Sequence, residues 1–89
     1  MQRRSSTIIN KLGLHARAAA KLVHAASGFE SQIQLHCNGQ SADAKSIMGL
    51  MMLAASHGSD LEIVAEGPDE VEAVNALTAL FESRFGEDE

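Results

Sequence analysis

The sequence predicts an α+β domain, in which three helices cover one face of a four-stranded antiparallel sheet in the order β-α-β-β-α-β-α. Some segments alternate apolar and polar residues, as half-buried strands do, while others repeat their apolar residues at helical spacing. Turn signals that contain glycine separate most of these segments. The chain has 89 residues, of which 45% are hydrophobic and 21% charged, so we expect a single globular domain over residues 1–89.

The first strand and the first helix are marked by residue type. The β-branched run Thr7-Ile8-Ile9 is typical of a strand, which we expect over residues 3–9. Residues 16–27 are rich in Ala, and their apolar positions have helical spacing, at 19, 22, 23 and 26. Gly28 follows where a glycine commonly caps a helix, so we expect the helix to end there.

A β-hairpin is predicted next. Its first strand is indicated by apolar residues that alternate with polar ones, at Ile33, Leu35 and Cys37. Asn38-Gly39 then supplies two residues that readily adopt the positive φ angles of a type I′ turn. We therefore expect a short return strand over residues 40–44.

The second helix is predicted to begin after Ser46, whose side chain is suited to capping a helix N-terminus. We expect it to run to about Ala55, with His57-Gly58 ending it. Residues 47–55 form the longest apolar stretch, which Gly49 interrupts. The stretch is far too short to cross a bilayer, so no membrane insertion is expected.

The last strand and the last helix complete the pattern. Alternation over residues 60–66 predicts a strand whose second face, including Val64, stays open to solvent. After the turn at Gly67-Pro68, acidic residues favour the positive end of a helix, at Asp69, Glu70 and Glu72. The apolar face of this helix comprises Val74, Leu77, Leu80 and Phe81. Residues 86–89 are expected to be a frayed acidic tail.

Charge and cysteine content exclude several classes of protein. The net charge of −5 argues against a nucleic-acid partner, although residues 1–45 carry +4 and residues 46–89 carry −9. A lone cysteine, Cys37, excludes an intrachain disulfide, and no apolar run of signal-peptide length follows the start of the chain. We therefore expect a cytoplasmic protein. No histidine pair has metal-ligand spacing and Cys37 lacks a CxxC partner, so we expect no metal and no cofactor.

His15 lies at the junction between the first loop and the Ala-rich helix. There its exposed side chain would face the unpaired backbone N–H groups of residues 16–18. These donors and the helix dipole form a site for an anion, and they favour a neutral imidazole with a nucleophilic lone pair. Arg17 can pair with phosphate oxygens. The arrangement suits a phosphoryl group carried on histidine, and the alternative is a capping histidine beside a solvated arginine.

Three segments resemble the signatures of one family. Residues 11–17, KLGLHAR, together with Ala19 and Lys21, are similar to the active-site signature of the HPr family, the small phosphocarriers of the bacterial phosphotransferase system. Residues 45–51, KSIMGLM, are similar to its second signature, and residues 67–70, GPDE, fit the start of its last helix. The resemblance covers nearly the whole chain and implies the family's open-faced β-sandwich.

The resemblance implies a phosphohistidine carrier that is not itself an enzyme. His15 would accept a phosphoryl group on Nδ1 from Enzyme I, which is charged by phosphoenolpyruvate, and would pass it to a histidine of an EIIA-type protein. The groups that would steady the phosphate are the Arg17 side chain and the backbone N–H groups of Ala16, Arg17 and Ala18. A monomer suits such a shuttle. The loop sequence NKLG and the acidic ending over residues 85–89 resemble the nitrogen-related branch, often called NPr.

Two positions leave alternatives open. Ala18 departs from the family signature His-Ala-Arg-Pro, and because alanine restores a backbone N–H in the first helical turn, we expect transfer to survive with an altered rate. Ser46 is a helix cap by its residue type, whereas by resemblance it is a phosphorylation site of HPr kinase/phosphorylase. The added charge would weaken binding to Enzyme I. The alternative to a carrier is thus a regulatory binding module of the same fold, acting through Ser46 or through allosteric contacts.

A docking patch for Enzyme I and the EIIA-type protein is expected beside the second signature. Its apolar members, by resemblance, are Ile47, Met48 and Met51. Methionine suits a surface that meets several partners, and the alternative is that these residues fill a core poor in aromatic residues. The basic residues expected around His15 are Arg17, Lys21, Lys11 and Lys45. Such a surface would attract acidic partner faces, and the acidic half of the chain would lie away from it.

Overall fold

The computed structural model describes residues 1–53 and 55–87. Its elements follow the predicted order: β1 (Gln2–Thr7), α1 (Ala16–Ser27), β2 (Gln32–Cys37), β3 (Gln40–Asp43), α2 (Ile47–Met52), β4 (Asp60–Glu66), α3 (Glu70–Glu82) and a short C-terminal 3₁₀ turn (Arg84–Gly86). The predicted α+β class is therefore confirmed. None of the helices in the described ranges has the length and apolar character needed to span a membrane.

The four strands form one sheet in the order β1-β4-β2-β3, and each neighbouring pair is antiparallel. Thr7 lies opposite Asp60, and His36 lies opposite Glu62, so β1 and β2 end where β4 begins. The β2–β3 turn has φ angles of 54° at Asn38 and 77° at Gly39. These values confirm the predicted turn type.

The helices cover one face of the sheet. Helix α3 packs on β1 and β4, and α1 packs against α2 and α3. The alternation predicted for β2 is confirmed, because its three apolar residues are buried and its glutamines are exposed. Val64 differs from the prediction: it belongs to the open face but is only 8% exposed. Its cross-strand neighbours are Arg3 and Gln34, whose aliphatic stems can cover it.

Several predicted boundaries differ from the observed ones, and the smallest difference is at β3, which ends at Asp43 instead of residue 44. The first strand ends at Thr7 instead of residue 9, because Ile8 bonds through its backbone to Ser59 and Gly58, in the turn before β4. Gly28 caps α1 with a right-handed φ of −77°, so this position does not use the conformational freedom of glycine.

Helix α2 is shorter than predicted, since it ends at Met52 with Leu53 as its cap, instead of near Ala55. The Ala55 carbonyl accepts a hydrogen bond from Leu14 N–H at 2.9 Å, so it serves the loop before α1. His57 and Gly58 accordingly lie in a separate turn.

The C-terminal segment also differs from the prediction of a tail frayed from residue 86. Phe85 is 1% exposed and its ring lies edge-on to Phe81, with centroids 5.1 Å apart. Gly86 belongs to the 3₁₀ turn, and Glu87 is partly buried and hydrogen-bonded. The segment therefore folds back onto the domain through residue 87, while residues 88–89 lie outside the described residues.

Candidate functional site at the start of helix α1

The loop before α1 is docked tightly onto the segment that follows α2. Gly13 has a φ of 69°, and a Cβ at this position would lie 2.8 Å from the Ala55 carbonyl oxygen and 3.0 Å from Ser56 Cα. The Asn10 side-chain amide donates to the Gly13 carbonyl at 2.8 Å, from a fully buried position. This docking requires a glycine, and it fixes where the next two residues enter the helix.

His15 occupies the N-cap of α1, as its position in the sequence indicates. Its Nδ1 accepts a hydrogen bond from the Arg17 backbone N–H at 3.3 Å, and its carbonyl accepts one from Ala19 N–H at 2.9 Å. Nδ1 therefore faces the positive end of the helix dipole, where backbone N–H groups point out of the first turn. The side chain is only 26% exposed, so the expectation of an exposed histidine is met only in part.

Glu87 is the group that covers His15. Its Oε2 lies against Nε2 of His15, and its Oε1 accepts a hydrogen bond from the Asn10 amide at 3.1 Å. The hydrogen bond with His15 lowers the pKa of the Glu87 carboxyl, helped by the bond from Asn10 and the charge of Arg17. The acidic half of the chain thus supplies a carboxylate to the site itself, contrary to the expected separation of charges.

Arg17 and Ala18 lie in the first turn of α1. The Arg17 side chain is exposed, and its charge is close enough to act on Glu87. Ala18 is fully buried, so its methyl group belongs to the core while its backbone N–H is among the first donors of the helix.

Lys21 and Lys45, both expected near the docking surface, form hydrogen bonds within the chain. The Lys21 ammonium donates to the Phe85 carbonyl, which ties α1 to the C-terminal turn. The Lys45 ammonium donates to the Phe29 carbonyl at 2.9 Å, just beyond the C-terminal end of α1. Because α1 has 12 residues, that end is about 18 Å along the axis from its start. The expected basic surface around His15 therefore does not include Lys45.

Helix α2 presents apolar side chains to solvent. Ile47 and Met51 are 42% and 45% exposed, and Met48 is 73% exposed, so the alternative that these residues fill the core is wrong. The predicted docking patch did not include two other exposed apolar residues of the two signature segments and α2, Met52 at 74% and Leu12 at 69%. Leu12 belongs to the loop docked against the segment after α2, and its position inside the KLGLHAR signature was the available signal.

Ser46 caps α2, and its Oγ accepts a hydrogen bond from Gly49 N–H at 3.1 Å. It begins the helix, whereas the loop before His15 docks on the chain that leaves the helix, at Ala55. The two candidate phosphorylation sites are therefore associated with opposite ends of α2. Across residues 1–53 and 55–87, no cluster of three or more histidine, cysteine, aspartate or glutamate side chains is arranged to hold a metal ion.

An open-faced antiparallel sheet with a histidine at the start of its first helix, where the helix dipole favours an anion, is the arrangement expected of a small phosphohistidine carrier. Comparison with known proteins identifies the family. A family model described as "PTS HPr component phosphorylation site" matches residues 2–83. The chain therefore belongs to the HPr family of the phosphotransferase system, and its role is that of a phosphocarrier.

Individual relatives agree with this family. The phosphocarrier protein HPr of Cupriavidus necator is 58% identical over 89 residues, all of both chains, and NPr of Escherichia coli is 45% identical over 82 residues, 91% of each chain. The crystal structure of an HPr from Thermoanaerobacter tengcongensis superposes with a TM-score of 0.96 at 48% identity, covering both chains completely. The family favours a carrier over a purely regulatory module.

Proposed function

We propose that His15 is the residue that carries the phosphoryl group and that Nδ1 is the accepting atom. The observation that supports this proposal is the position of Nδ1, which accepts the Arg17 backbone N–H at the start of α1. A phosphoryl group on Nδ1 would bring its oxygens to the N–H groups of Ala16, Arg17 and Ala18, where the helix dipole favours negative charge. The exposed Arg17 guanidinium would add charge-assisted hydrogen bonds.

The proposed donor is phosphorylated Enzyme I, and the proposed acceptor is a histidine of an EIIA-type protein. The chain is a substrate of both transfers and forms a covalent phosphohistidine between them. The exposed side chains of Ile47, Met48 and Met51 support a docking surface on α2, because partly exposed methionines adapt to different partner faces. Lys21 and Lys45 are proposed as flanking contacts that serve this surface while also bonding within the chain.

Phosphorylation by Enzyme I and phosphoenolpyruvate tests the acceptor directly. We expect the intact mass of the protein to increase by one phosphoryl group, and the label to be lost in acid. The His15→Ala variant should show no increase, whereas His36→Ala, a matched variant of a histidine on β2, should be labelled like the parent protein. Labelling of His15→Ala, or an unmodified His15 in the parent protein, would contradict the proposal.

Ser46 is proposed as a second modification site, used by HPr kinase/phosphorylase. A phosphate on Ser46 would lie at the start of α2, next to exposed Ile47, and would weaken Enzyme I binding by adding charge to the docking surface. Incubation with that kinase and ATP should label the parent protein but not Ser46→Ala. Equal labelling of both proteins would exclude Ser46.

The domain organisation, localisation, oligomeric state and branch of the protein are proposed from the same family. We propose that residues 1–89 act as one domain, that the protein is a cytoplasmic monomer, and that it serves the nitrogen-related branch. Size-exclusion chromatography with light scattering tests the monomer, because a dimer would double the measured mass. Transfer rates from a sugar-type and a nitrogen-type Enzyme I test the branch, and a faster reaction with the sugar-type enzyme would contradict it.

A further inference from the structure

The C-terminal segment reaches the His15 site by an unusual backbone path. After α3 the chain reverses through Arg84 and Phe85, which have φ angles of 56° and 54°, a region that non-glycine residues rarely occupy. The buried Phe85 ring and the bond from Lys21 to the Phe85 carbonyl hold this reversal in place. The fold therefore maintains a costly conformation that delivers the next residues to the start of α1.

Both oxygens of the Glu87 carboxylate form hydrogen bonds. Oε1 accepts the Asn10 amide at 3.1 Å, and Oε2 meets Nε2 of His15. Asn10 is itself fixed, because it is fully buried and also donates to the Gly13 carbonyl. The Glu87 side chain is 13% exposed, half the exposed fraction of His15. Asn10, Glu87 and His15 thus form a chain of hydrogen bonds from the buried loop to the imidazole ring.

These hydrogen bonds determine which nitrogen of a neutral His15 carries the proton. A carboxylate can only accept hydrogen bonds, so Nε2 must be the protonated nitrogen. Nδ1 accepts the Arg17 N–H, so it must hold the lone pair. We propose that Glu87 is a positioning residue, which holds His15 in the Nε2–H tautomer so that Nδ1 is the nucleophile. The proposal rests on the proposed function of His15, and it assigns a role to a residue beyond the 2–83 range of the family match.

The transfer step balances with this arrangement. The Nδ1 lone pair forms a bond to phosphorus of the donor protein's phosphohistidine, and the donor N–P bond breaks with its electron pair returning to the donor nitrogen. Nε2 of His15 keeps its proton, so its ring becomes cationic as the donor ring loses its positive charge. The Glu87 carboxylate faces this ring, and it therefore stabilises the charge that develops during transfer.

The test uses the full chain with Glu87→Ala and Glu87→Gln, and with Glu82→Gln as the matched control at the exposed end of α3. ¹⁵N NMR of the histidine ring nitrogens measures the tautomer, which a merely structural role of Glu87 would leave unchanged. We expect the parent protein and Glu82→Gln to show the Nε2–H tautomer, and Glu87→Ala to show a mixture. We expect kcat/KM for phosphorylation by Enzyme I to fall about tenfold in Glu87→Ala, mainly through kcat, and less in Glu87→Gln.

Two results would overturn the role of Glu87. One is an unchanged tautomer in Glu87→Ala, and the other is an unchanged or faster transfer, which would make Glu87 an obstruction to the ring. Thermal unfolding of each variant checks that the fold is retained, and Glu87→Gln preserves the shape of the side chain if Glu87→Ala does not fold. Failure of the proposed function is distinguishable, because His15 of the parent protein would then stay unphosphorylated whatever its tautomer.

Discussion

Helices α1 and α3 begin with the same local construction but use it differently. In each, a glycine with positive φ lies two residues before the capping residue and presses against another loop: Gly13 against Ala55, and Gly67 against Ser31. At α3 the cap is Asp69, whose carboxylate bonds to that loop: it accepts hydrogen bonds from the N–H groups of Glu30 and Ser31 at 2.9 Å each. At α1 the cap is His15.

The His15 ring has one bond to its own helix and remains 26% exposed. The first turn of α3 carries Glu70 and Glu72, whereas the first turn of α1 carries no acid and one base, Arg17. Acids at a helix start neutralise the dipole, and α3 carries them in its own first turn. At α1 the first turn carries none, and the nearby carboxylate is that of Glu87, on the far side of the His15 ring from Nδ1. The same arrangement of glycine, cap and helix therefore becomes a reactive site where the cap is a histidine whose Nδ1 faces a first turn without acids.

The largest effects on stability are expected at Gly13 and Gly67. Alanine at Gly67 would place a Cβ 2.6 Å from Ser31 Cα, and alanine at Gly13 would place one 2.8 Å from the Ala55 carbonyl oxygen. Each substitution should lower the free energy of unfolding by about 3 kcal/mol, from strain and from displaced backbone. Urea denaturation measures the loss.

Gly39→Ala is the control for these two variants, because its φ is also positive but a Cβ would meet nothing within 4 Å. It should cost about 1 kcal/mol. At a temperature where all variants are folded, only Gly13→Ala should also slow phosphoryl transfer. If Gly67→Ala slowed transfer equally, the starts of α1 and α3 would not differ in function.

A smaller effect on stability is expected at Asp69, and it should depend on pH. The hydrogen bonds from Ser31 and Glu30 lower the pKa of the Asp69 carboxyl below its ordinary value of 3.8. A lowered folded-state pKa stabilises the fold above the ordinary value, and this contribution is lost as the pH falls through the lowered pKa. Asp69→Asn should therefore be less stable than the parent protein at about pH 7, and the difference should shrink at about pH 3, below the ordinary value of 3.8.

Urea midpoints at both pH values measure this dependence, and Glu72→Gln is a suitable control because it removes a carboxylate from the same turn without removing these bonds. Phosphoryl transfer by Asp69→Asn should match that of the parent protein. A stability difference that persisted in acid would show that shape, not charge, accounts for the role of Asp69.

At Arg17 the expected effect on stability is smaller still, but transfer should change. Arg17→Gln removes a cation from the positive end of α1, and the free energy of unfolding should change by less than about 1 kcal/mol. Transfer from Enzyme I should slow by about tenfold, because a charge-assisted contact to the phosphate is lost. Glu72→Gln at the start of α3 should show a comparable change in stability with unchanged transfer. Equal transfer rates for both variants would remove the functional contrast between the helix starts.

The order of the elements and the position of His15 at a helix start could be predicted from the sequence, because both depend on local patterns. Alternation marked β2, helical spacing marked α1, and the loop-to-helix junction put His15 at a helix start. Glu87 could not be foreseen, because left-handed backbone at Arg84 and Phe85 has no glycine to signal it. The end of α2 was also unpredictable, since a tertiary bond to Leu14 uses the Ala55 carbonyl.

The smallest effect is expected at Ala18, where the family signature has proline. Ala18 is the third residue of α1, so its N–H lies among the first donors that have no partner within the helix, and proline would remove no helical bond. The Ala18 side chain is fully buried, so the extra ring atoms must fit against the core. Ala18→Pro should change the free energy of unfolding by less than about 1 kcal/mol. Both proteins should accept a phosphoryl group, because His15 and the Arg17 N–H are unchanged, and mass spectrometry over time compares their rates. Acceptance by Ala18→Pro alone would show that an alanine in the first turn disables the start of α1, and the contrast with α3 would then lose its functional meaning.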